Sequence, residues 1–104
     1  MCGITGLVNY EDNALLHDMC DLLKHRGPDS DGFFENKNVS LGIRRLSIID
    51  IEGGNQPISN EDGEIWTIFN GEIYNYQSLQ DGLKSKGHKF KTNSDTETIV
   101  HAYE

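Results

Sequence analysis

The sequence predicts an α+β domain, because stretches with the spacing of strands and of helices both occur along its 104 residues. Residues 3–10 are apolar with small residues mixed in, a pattern typical of a buried strand. Residues 12–25 carry leucines at helical spacing. Asp62 and Gly63 form a dipeptide that tolerates positive φ, which indicates a hairpin turn at residues 61–63. The length fits one domain.

The other elements of the first half follow from turn residues and apolar runs. Asp12 or Asn13 is expected to cap the first helix, because either side chain can accept a hydrogen bond from the first turn. Residues 26–32 are dense in turn-forming residues and predict a loop. Residues 33–35 and 39–49 are predicted as two further strands.

The second half predicts a glycine-bearing loop, a strand, a helix and a short strand, at residues 50–57, 64–70, 76–86 and 88–91. Asn75 and Gly87 are expected to cap that helix at its start and its end. Ser94 and Glu97 have the spacing of a capping box, which predicts a last helix. Because the chain stops at Glu104, soon after that helix begins, we expect the domain to continue beyond it.

The composition argues against two classes of partner. The formal charge is −8, from 9 lysines and arginines against 17 acidic residues, whereas binding to nucleic acid needs a basic face. No apolar run is long enough to span a membrane, so no membrane partner is predicted. The N-terminus lacks the basic start and the long apolar stretch of a signal peptide, and a cytoplasmic location is expected.

The two cysteines are predicted to be thiols with different roles. Cys20 lies among leucines at helical spacing and is interpreted as a small apolar residue on a helix face. Considered by itself, Cys2 can also be interpreted as a small buried apolar residue. Removal of Met1 would, however, expose an α-amine on the residue that carries the thiol. Such an amine has an ordinary pKa of about 7.7–8.0, so it can act as the base for its own side chain near neutral pH.

Short motifs accompany Cys2 along the whole chain. They are MCGI at residues 1–4, HRGPD at 25–29, RLSIID at 45–50 with GNQP at 54–57, NGEIYN at 70–75 and SDTE at 94–97. In this order and spacing they resemble the class II glutamine amidotransferases. The RLSI stretch with Asp50 and the following Gln56 and Pro57 are most similar to the glutamine-hydrolysing asparagine synthetase branch.

The resemblance implies a nucleophile and an oxyanion site. Cys2 matches the residue that attacks the amide carbon of glutamine, which gives a glutamyl thioester and ammonia. Asn70 matches the donor of a side-chain amide to the resulting oxyanion, and Gly71 matches the donor of a backbone N–H. Without the other motifs, Asn70 and Gly71 would instead be typical of a hairpin turn.

The resemblance also implies a pocket for the amino-acid end of glutamine. Arg45 matches the arginine that pairs with the α-carboxylate, for which a guanidinium is suited because it can donate two hydrogen bonds. Glu72 and Asp95 match the acidic groups around the α-ammonium. The backbone of Leu46 and Ile48 lines the same pocket in the family.

Arg44 and Arg26 are given lesser roles. Neighbouring strand residues face opposite ways, so Arg44 is expected to be a solvated charge if Arg45 points into the site. Arg26 is expected to support the site without taking part in a chemical step.

No metal site is predicted, because the histidines lack metal-ligand spacing and are interpreted as surface or loop residues: His17, His25, His88 and His101.

The implied fold is that of the N-terminal-nucleophile hydrolases, an αββα sandwich of two antiparallel sheets, of which residues 1–104 supply only the N-terminal part. The implied substrate is L-glutamine. No cofactor is expected in this chain, since no phosphate-binding loop follows Gly53 and Gly54. ATP and Mg²⁺ are expected in a C-terminal synthetase domain, which uses the ammonia to make asparagine and is absent here.

Two alternatives remain open at this point. The chain can be a truncated, catalytically inactive fragment or a binding module, and in that case we expect it to aggregate or to form a homodimer. It can also belong to an amidotransferase of the same branch whose acceptor is not aspartate, because acceptor choice lies in the missing part.

Overall fold

A computed structural model of the chain describes residues 2–46 and 55–104. Helices and two antiparallel sheets are both present, which confirms the α+β prediction. None of the helices in these two stretches is long and apolar enough to cross a membrane. The elements are β1 (Gly3–Val8), α1 (Asn13–Asp21), β2 (Ser30–Phe34), β3 (Val39–Arg45), β4 (Ile58–Ser59), β5 (Trp66–Thr67), α2 (Tyr76–Ser85) and α3 (Glu97–Tyr103).

The first sheet has three antiparallel strands in the order β1-β3-β2. Gly3 pairs with Arg44 of β3, so Cys2 lies beside the point where β3 ends. Helix α1 packs on β1 and β3. Leu16 and Cys20 of this helix and Ile43 of β3 are fully buried and form the core of this layer.

Strand β1 is only half buried, so the prediction of a buried strand is wrong. Its side chains alternate in burial because α1 covers one face of the sheet. Gly3 faces the turn that follows α1, where an added Cβ would lie 3.0 Å from Leu23 Cβ. Ile4 and Val8 point to the opposite face and are 49% and 70% exposed.

Helix α1 begins as predicted, with Asp12 as its N-cap. The Asp12 Oδ1 atom accepts a hydrogen bond from Leu15 N at 3.0 Å, which satisfies one donor of the first turn. The helix ends at Asp21 rather than at residue 25 and is followed by turns. Strand β2 begins at Ser30, inside the predicted loop, because residues 30–34 pair with β3.

The second sheet is the hairpin of β4 and β5. Gly63 has a φ of 75°, as the predicted turn requires. Asn60, only 1% exposed, closes the turn, because its Oδ1 accepts from Ile65 N at 3.1 Å. The strand predicted at residues 64–70 is shorter than expected and covers only Trp66–Thr67. Helix α3 packs against both strands of the hairpin.

Helix α2 agrees with its predicted bounds to within one residue. Asn75 occupies the N-cap position without a side-chain capping hydrogen bond. Gly87 follows the helix with a φ of 97°, which confirms it as the residue that ends the helix.

Helix α3 is present, but the strand predicted at residues 88–91 is not formed. Lys91 N instead donates a hydrogen bond to Glu97 Oε2 at 2.9 Å. The N-cap is Thr96, whose N–H donates to Ser94 Oγ at 3.2 Å. The predicted capping box is therefore not formed, because the N-cap is Thr96 rather than Ser94 and the carboxylate of Glu97 accepts from Lys91 and Thr92 instead.

Candidate functional site

A pocket of about 250 Å³ opens where the ends of β1 and β3 meet the segments that lead into α2 and α3. Seven of the eight predicted site residues line it, and the eighth, Ile48, lies outside the described residues. The lining residues are Cys2, Arg45, Leu46, Gln56, Phe69, Asn70, Gly71, Glu72, Tyr74, Asp95 and Thr96.

Cys2 is half-buried at the edge of the first sheet. Its Sγ lies 3.7 Å from the carbonyl oxygen of Leu46, within reach of a weak S–H donor bond. Arg26 Nε donates a hydrogen bond to the carbonyl oxygen of Cys2 at 3.1 Å. Arg26 therefore contacts the backbone of the predicted nucleophile, a position from which it could support the site as expected.

Gly27 allows the loop at residues 25–29 to lie directly against the end of β3. A Cβ added at Gly27 would lie 2.3 Å from Arg44 C and 2.5 Å from Arg45 N, closer than atoms can approach. In the same loop, Asp29 N donates to the carbonyl oxygen of Arg45 at 2.9 Å. The loop thus fixes the backbone from which Arg45 enters the pocket.

Arg45 is 5% exposed and lines the pocket beside Cys2. Its Nε and Nη1 atoms are buried and have no hydrogen-bond partner within residues 2–46 and 55–104. A buried guanidinium without a partner is costly, since its desolvation is not offset by hydrogen bonds. The pocket therefore offers two buried guanidinium nitrogens as hydrogen-bond donors, and a carboxylate is the group that suits such donors best.

Arg44 points away from the pocket, as strand alternation predicts, but it is not a solvated charge. It is 8% exposed, its Nε donates to the carbonyl oxygen of Gly27 at 2.9 Å, and its Nη1 pairs with Asp31 Oδ2 at 3.2 Å. The prediction of a solvated Arg44 is wrong, because the loop at residues 25–29 covers this side of the sheet.

Asp95 supplies negative charge to the same pocket. It is 5% exposed, and its Oδ2 accepts a hydrogen bond from Ile73 N at 2.8 Å. Glu72, which is exposed, adds a second carboxylate to the lining. With Arg45, these groups give the pocket both signs of charge, which matches the zwitterionic end of a free amino acid.

Asn70 and Gly71 lie in irregular chain between β5 and α2 and join no pair of strands in the described chain, so the hairpin alternative is wrong. Both residues are exposed at the pocket. A Cβ added at Gly71 would lie 2.8 Å from Phe69 Cζ, so a larger residue here would require the Phe69 ring to shift.

The sequence profile of a family described as "Glutamine amidotransferase domain" matches residues 1–104. The chain belongs to this family. It is 50% identical over 110 residues to glutamine-hydrolysing asparagine synthetase 1 of Bacillus subtilis (strain 168), covering 99% of this chain and 17% of that protein. It is 42% identical over 109 residues to the asparagine synthetase of Brassica oleracea, covering 100% and 18%.

A third relative is the probable glutamine-hydrolysing asparagine synthetase of Dictyostelium discoideum, 42% identical over 110 residues. The match covers 100% of this amidotransferase chain and 20% of that protein. The chain thus spans between 15% and 20% of the length of such curated relatives.

The sequence did not predict that Gln56 is part of the amidotransferase pocket. Gln56 is 6% exposed and joins two pocket walls. Its Oε1 accepts from Phe69 N at 2.6 Å, and its Nε2 donates to Thr96 Oγ1 at 3.2 Å. The sequence feature that could have indicated Gln56 was its place in the GNQP motif. No local sequence pattern shows that a side-chain amide will bond to distant parts of the chain. Tyr74 was also missed and is 89% exposed at the pocket rim.

The other cysteine of the amidotransferase domain is chemically protected. Cys20 is fully buried on α1, as predicted for a small apolar residue. Burial raises the pKa of the Cys20 thiol, and the nearby charge of Asp31 raises it further. At neutral pH this thiol therefore stays protonated and is a poor nucleophile.

One histidine prediction is wrong. His101 is not a surface or loop residue, because it is 1% exposed within α3. It lies with His88, Glu61 and Glu104 in a group of side chains that could hold a metal ion, away from the pocket. The spacing of histidines and cysteines could not predict this group, since half of its members are glutamates.

Proposed function

We propose that this chain carries the glutaminase site of a glutamine amidotransferase, with Cys2 as the nucleophile. The observation that supports it most strongly is the buried guanidinium of Arg45 in the pocket that Cys2 lines, since its Nε and Nη1 atoms have no hydrogen-bond partner among the described residues. The α-carboxylate of glutamine pairs with Arg45, while Asp95 and Glu72 surround the α-ammonium. This arrangement leaves the side-chain amide of the substrate to reach Cys2.

The reaction proceeds through a thioester. After Met1 is removed, the α-amine of Cys2 takes the thiol proton, and Sγ forms a bond to the amide carbon of glutamine. The side-chain amide of Asn70 and the N–H of Gly71 donate hydrogen bonds to the resulting oxyanion. The ammonium form of the amine returns the proton to the leaving nitrogen, and ammonia departs. Water then attacks the thioester, which releases glutamate and restores the thiol.

The ammonia serves ATP-dependent asparagine synthesis in a larger protein. This part of the proposal rests on relatives that are named as glutamine-hydrolysing asparagine synthetases and are five to seven times longer than the matched region. ATP and Mg²⁺ bind in the C-terminal synthetase domain, and the protein acts in the cytoplasm. Residues 1–104 form the N-terminal part of an amidotransferase domain with the αββα sandwich of N-terminal-nucleophile hydrolases.

The test of the glutaminase site is covalent labelling. The chain, with Met1 removed, is treated with a glutamine analogue that carries an electrophilic carbon in place of the amide, and the modified residue is found by mass spectrometry. We expect one label on Cys2, protection by L-glutamine, and loss of labelling in Cys2→Ser but not in Cys20→Ser. Labelling of Cys20 alone, or labelling that L-glutamine does not slow, would contradict the proposal.

A further inference from the structure

Four side chains outside the pocket form a second polar site, the His–Glu cluster, which consists of Glu61, His88, His101 and Glu104. Each side chain offers one potential ligand atom, and these atoms all lie within 4.8 Å of one another. Three separate segments supply them: the turn between β4 and β5, the chain just after α2, and the C-terminal end of α3.

The distances within the His–Glu cluster are those of a group around a common centre. His101 Nδ1 lies 2.5 Å from Glu61 Oε1, His88 Nδ1 lies 3.4 Å from Glu61 Oε2, and His88 Nδ1 lies 3.8 Å from Glu104 Oε2. Around a tetrahedral zinc ion with ordinary bond lengths, neighbouring ligand atoms are about 3.3–3.5 Å apart. The two distances from His88 lie at or above that value, whereas the contact of His101 with Glu61 is shorter, so these two side chains must separate for an ion to enter.

A second observation concerns the orientation of the His101 ring. Its Nε2 lies 2.9 Å from Glu97 Oε2, and the same carboxylate accepts hydrogen bonds from the backbone N–H groups of Lys91 and Thr92. The carboxylate of Glu97 therefore contacts Nε2 of the ring, and Nδ1 is the ring nitrogen directed at the other members of the cluster.

The Nδ1 atom of His101 is buried and faces the other members of the cluster. His101 is 1% exposed, and neither its Nδ1 nor that of His88 has a hydrogen-bond partner in the part of the chain that the structure describes. Both atoms face carboxylate oxygens of Glu61 instead. A cation placed among these nitrogen and carboxylate oxygen atoms would interact favourably with all of them.

We propose that the His–Glu cluster binds a divalent transition-metal ion, with zinc as the best fit. The ligands are Nδ1 of His88 and His101 and one carboxylate oxygen each of Glu61 and Glu104. Imidazole nitrogen suits zinc and its neighbours rather than magnesium or calcium, which prefer oxygen ligands alone. Four protein ligands leave no open position, so the ion is structural and not catalytic.

The surroundings of the ligands also fit a metal site. Glu97 orients His101 through Nε2, the arrangement in which an outer carboxylate fixes a metal-binding histidine. Asn60 Nδ2 donates to Glu104 Oε2 at 3.1 Å and holds that carboxylate in place. Because the ion joins three segments, its binding stabilises the folded chain by mass action.

The test is a zinc titration of the full 104-residue chain, carried out in a Cys2→Ser background so that the half-buried thiol cannot bind the ion. Calorimetry measures affinity and stoichiometry, and cobalt substitution reports tetrahedral geometry through its visible absorption. Glu61→Gln and His88→Asn remove ligands from the cluster. Glu64→Gln and His25→Asn are the matched controls, since both residues are exposed and outside the cluster.

We expect one ion per chain, a higher Tm with zinc, and affinity at least about tenfold weaker in both cluster variants, while the two controls behave like the parent. Circular dichroism verifies folding, and Glu61→Gln alone decides if His88→Asn does not fold. Absence of binding with zinc in large excess, or equal affinity in cluster and control variants, would overturn the proposal. So would NMR signals showing protons on both ring nitrogens of His101 in the presence of zinc.

Discussion

Arg26 Nε and the carbonyl oxygen of Cys2 are joined by a hydrogen bond of 3.1 Å, which ties the first described residue of the chain to the turn after α1. The bond engages the backbone of Cys2, so the thiol remains available to the pocket. Arg26 itself does not line the pocket. Under the proposed function Arg26 is a positioning residue, and its loss should displace the proposed nucleophile without removing a substrate contact.

In the complete enzyme, Arg26→Ala should lower kcat for glutamine hydrolysis by about 10- to 100-fold while KM changes little, because a displacement of about 1 Å can cost that much in rate. Lys24→Ala, on the same turn but exposed, is the control and should behave like the parent. A rise in KM with unchanged kcat would instead mean that Arg26 contacts the substrate.

Arg45→Ala and Arg44→Ala should separate substrate binding from stability. Loss of Arg45 removes a charged hydrogen-bonding group of about 1.5–3 kcal/mol and should weaken glutamine use about 10- to 100-fold or more. Loss of Arg44 should lower the free energy of unfolding by about 1–3 kcal/mol, since it leaves the carbonyl of Gly27 without its donor. Steady-state kinetics and urea unfolding measure the two effects, and equal losses of activity in both variants would refute the assignment.

Gly32→Ala and Gly82→Ala should change stability in opposite directions. A Cβ at Gly32 would lie 1.7 Å from Gln56 O, so the backbone must shift, and unfolding should become easier by about 1–3 kcal/mol. A Cβ at Gly82, within α2, meets no atom within 4 Å and should stabilise the helix by about 0.5–1 kcal/mol. Thermal or urea unfolding checks both, and a stabilised Gly32→Ala would show that the two segments are not in contact.

The two thiols should differ sharply in reactivity. Since burial raises the pKa of Cys20, its thiolate is scarcer at any given pH than that of an exposed thiol, and the side chain is also inaccessible. A neutral alkylating reagent at pH 7 to 8 should modify Cys2 and leave Cys20 intact until a denaturant is added. Mass spectrometry after timed quenching gives the two rates, and comparable rates in the folded chain would contradict the buried position of Cys20.

Features that depend on nearby residues were predictable from the sequence. Asp12 caps α1 and Gly63 turns the hairpin because each acts within a few residues of its own position. The motifs predicted which described side chains meet at the pocket, since a resemblance carries long-range information that local patterns lack. Arg44 was misjudged because the loop that covers it is distant in sequence.

The segment at residues 88–91 shows the same limit. Its alternating pattern resembles a strand, but the carboxylate of Glu97 takes the N–H of Lys91, and no local rule reveals that competitor. His101 was assigned to the surface because a single histidine in a helix gives no sign of which face is buried. The two glutamates that lie beside it in the His–Glu cluster are Glu61, which precedes it in the sequence, and Glu104, which follows it.

The pairing of Gly3 with Arg44 makes the pocket sensitive to insertions and deletions in a way that substitutions do not reveal. Adjacent strand residues face opposite sides, so a shift of β3 by one position against β1 would replace Arg45 with Arg44 at the pocket. One added residue in the loop between β2 and β3 can be absorbed by that loop. One residue added within β3 would instead turn the guanidinium of Arg45 to the side of the sheet that faces away from the pocket. Length changes tolerated by this chain should therefore cluster at residues 35–38 and spare residues 39–45.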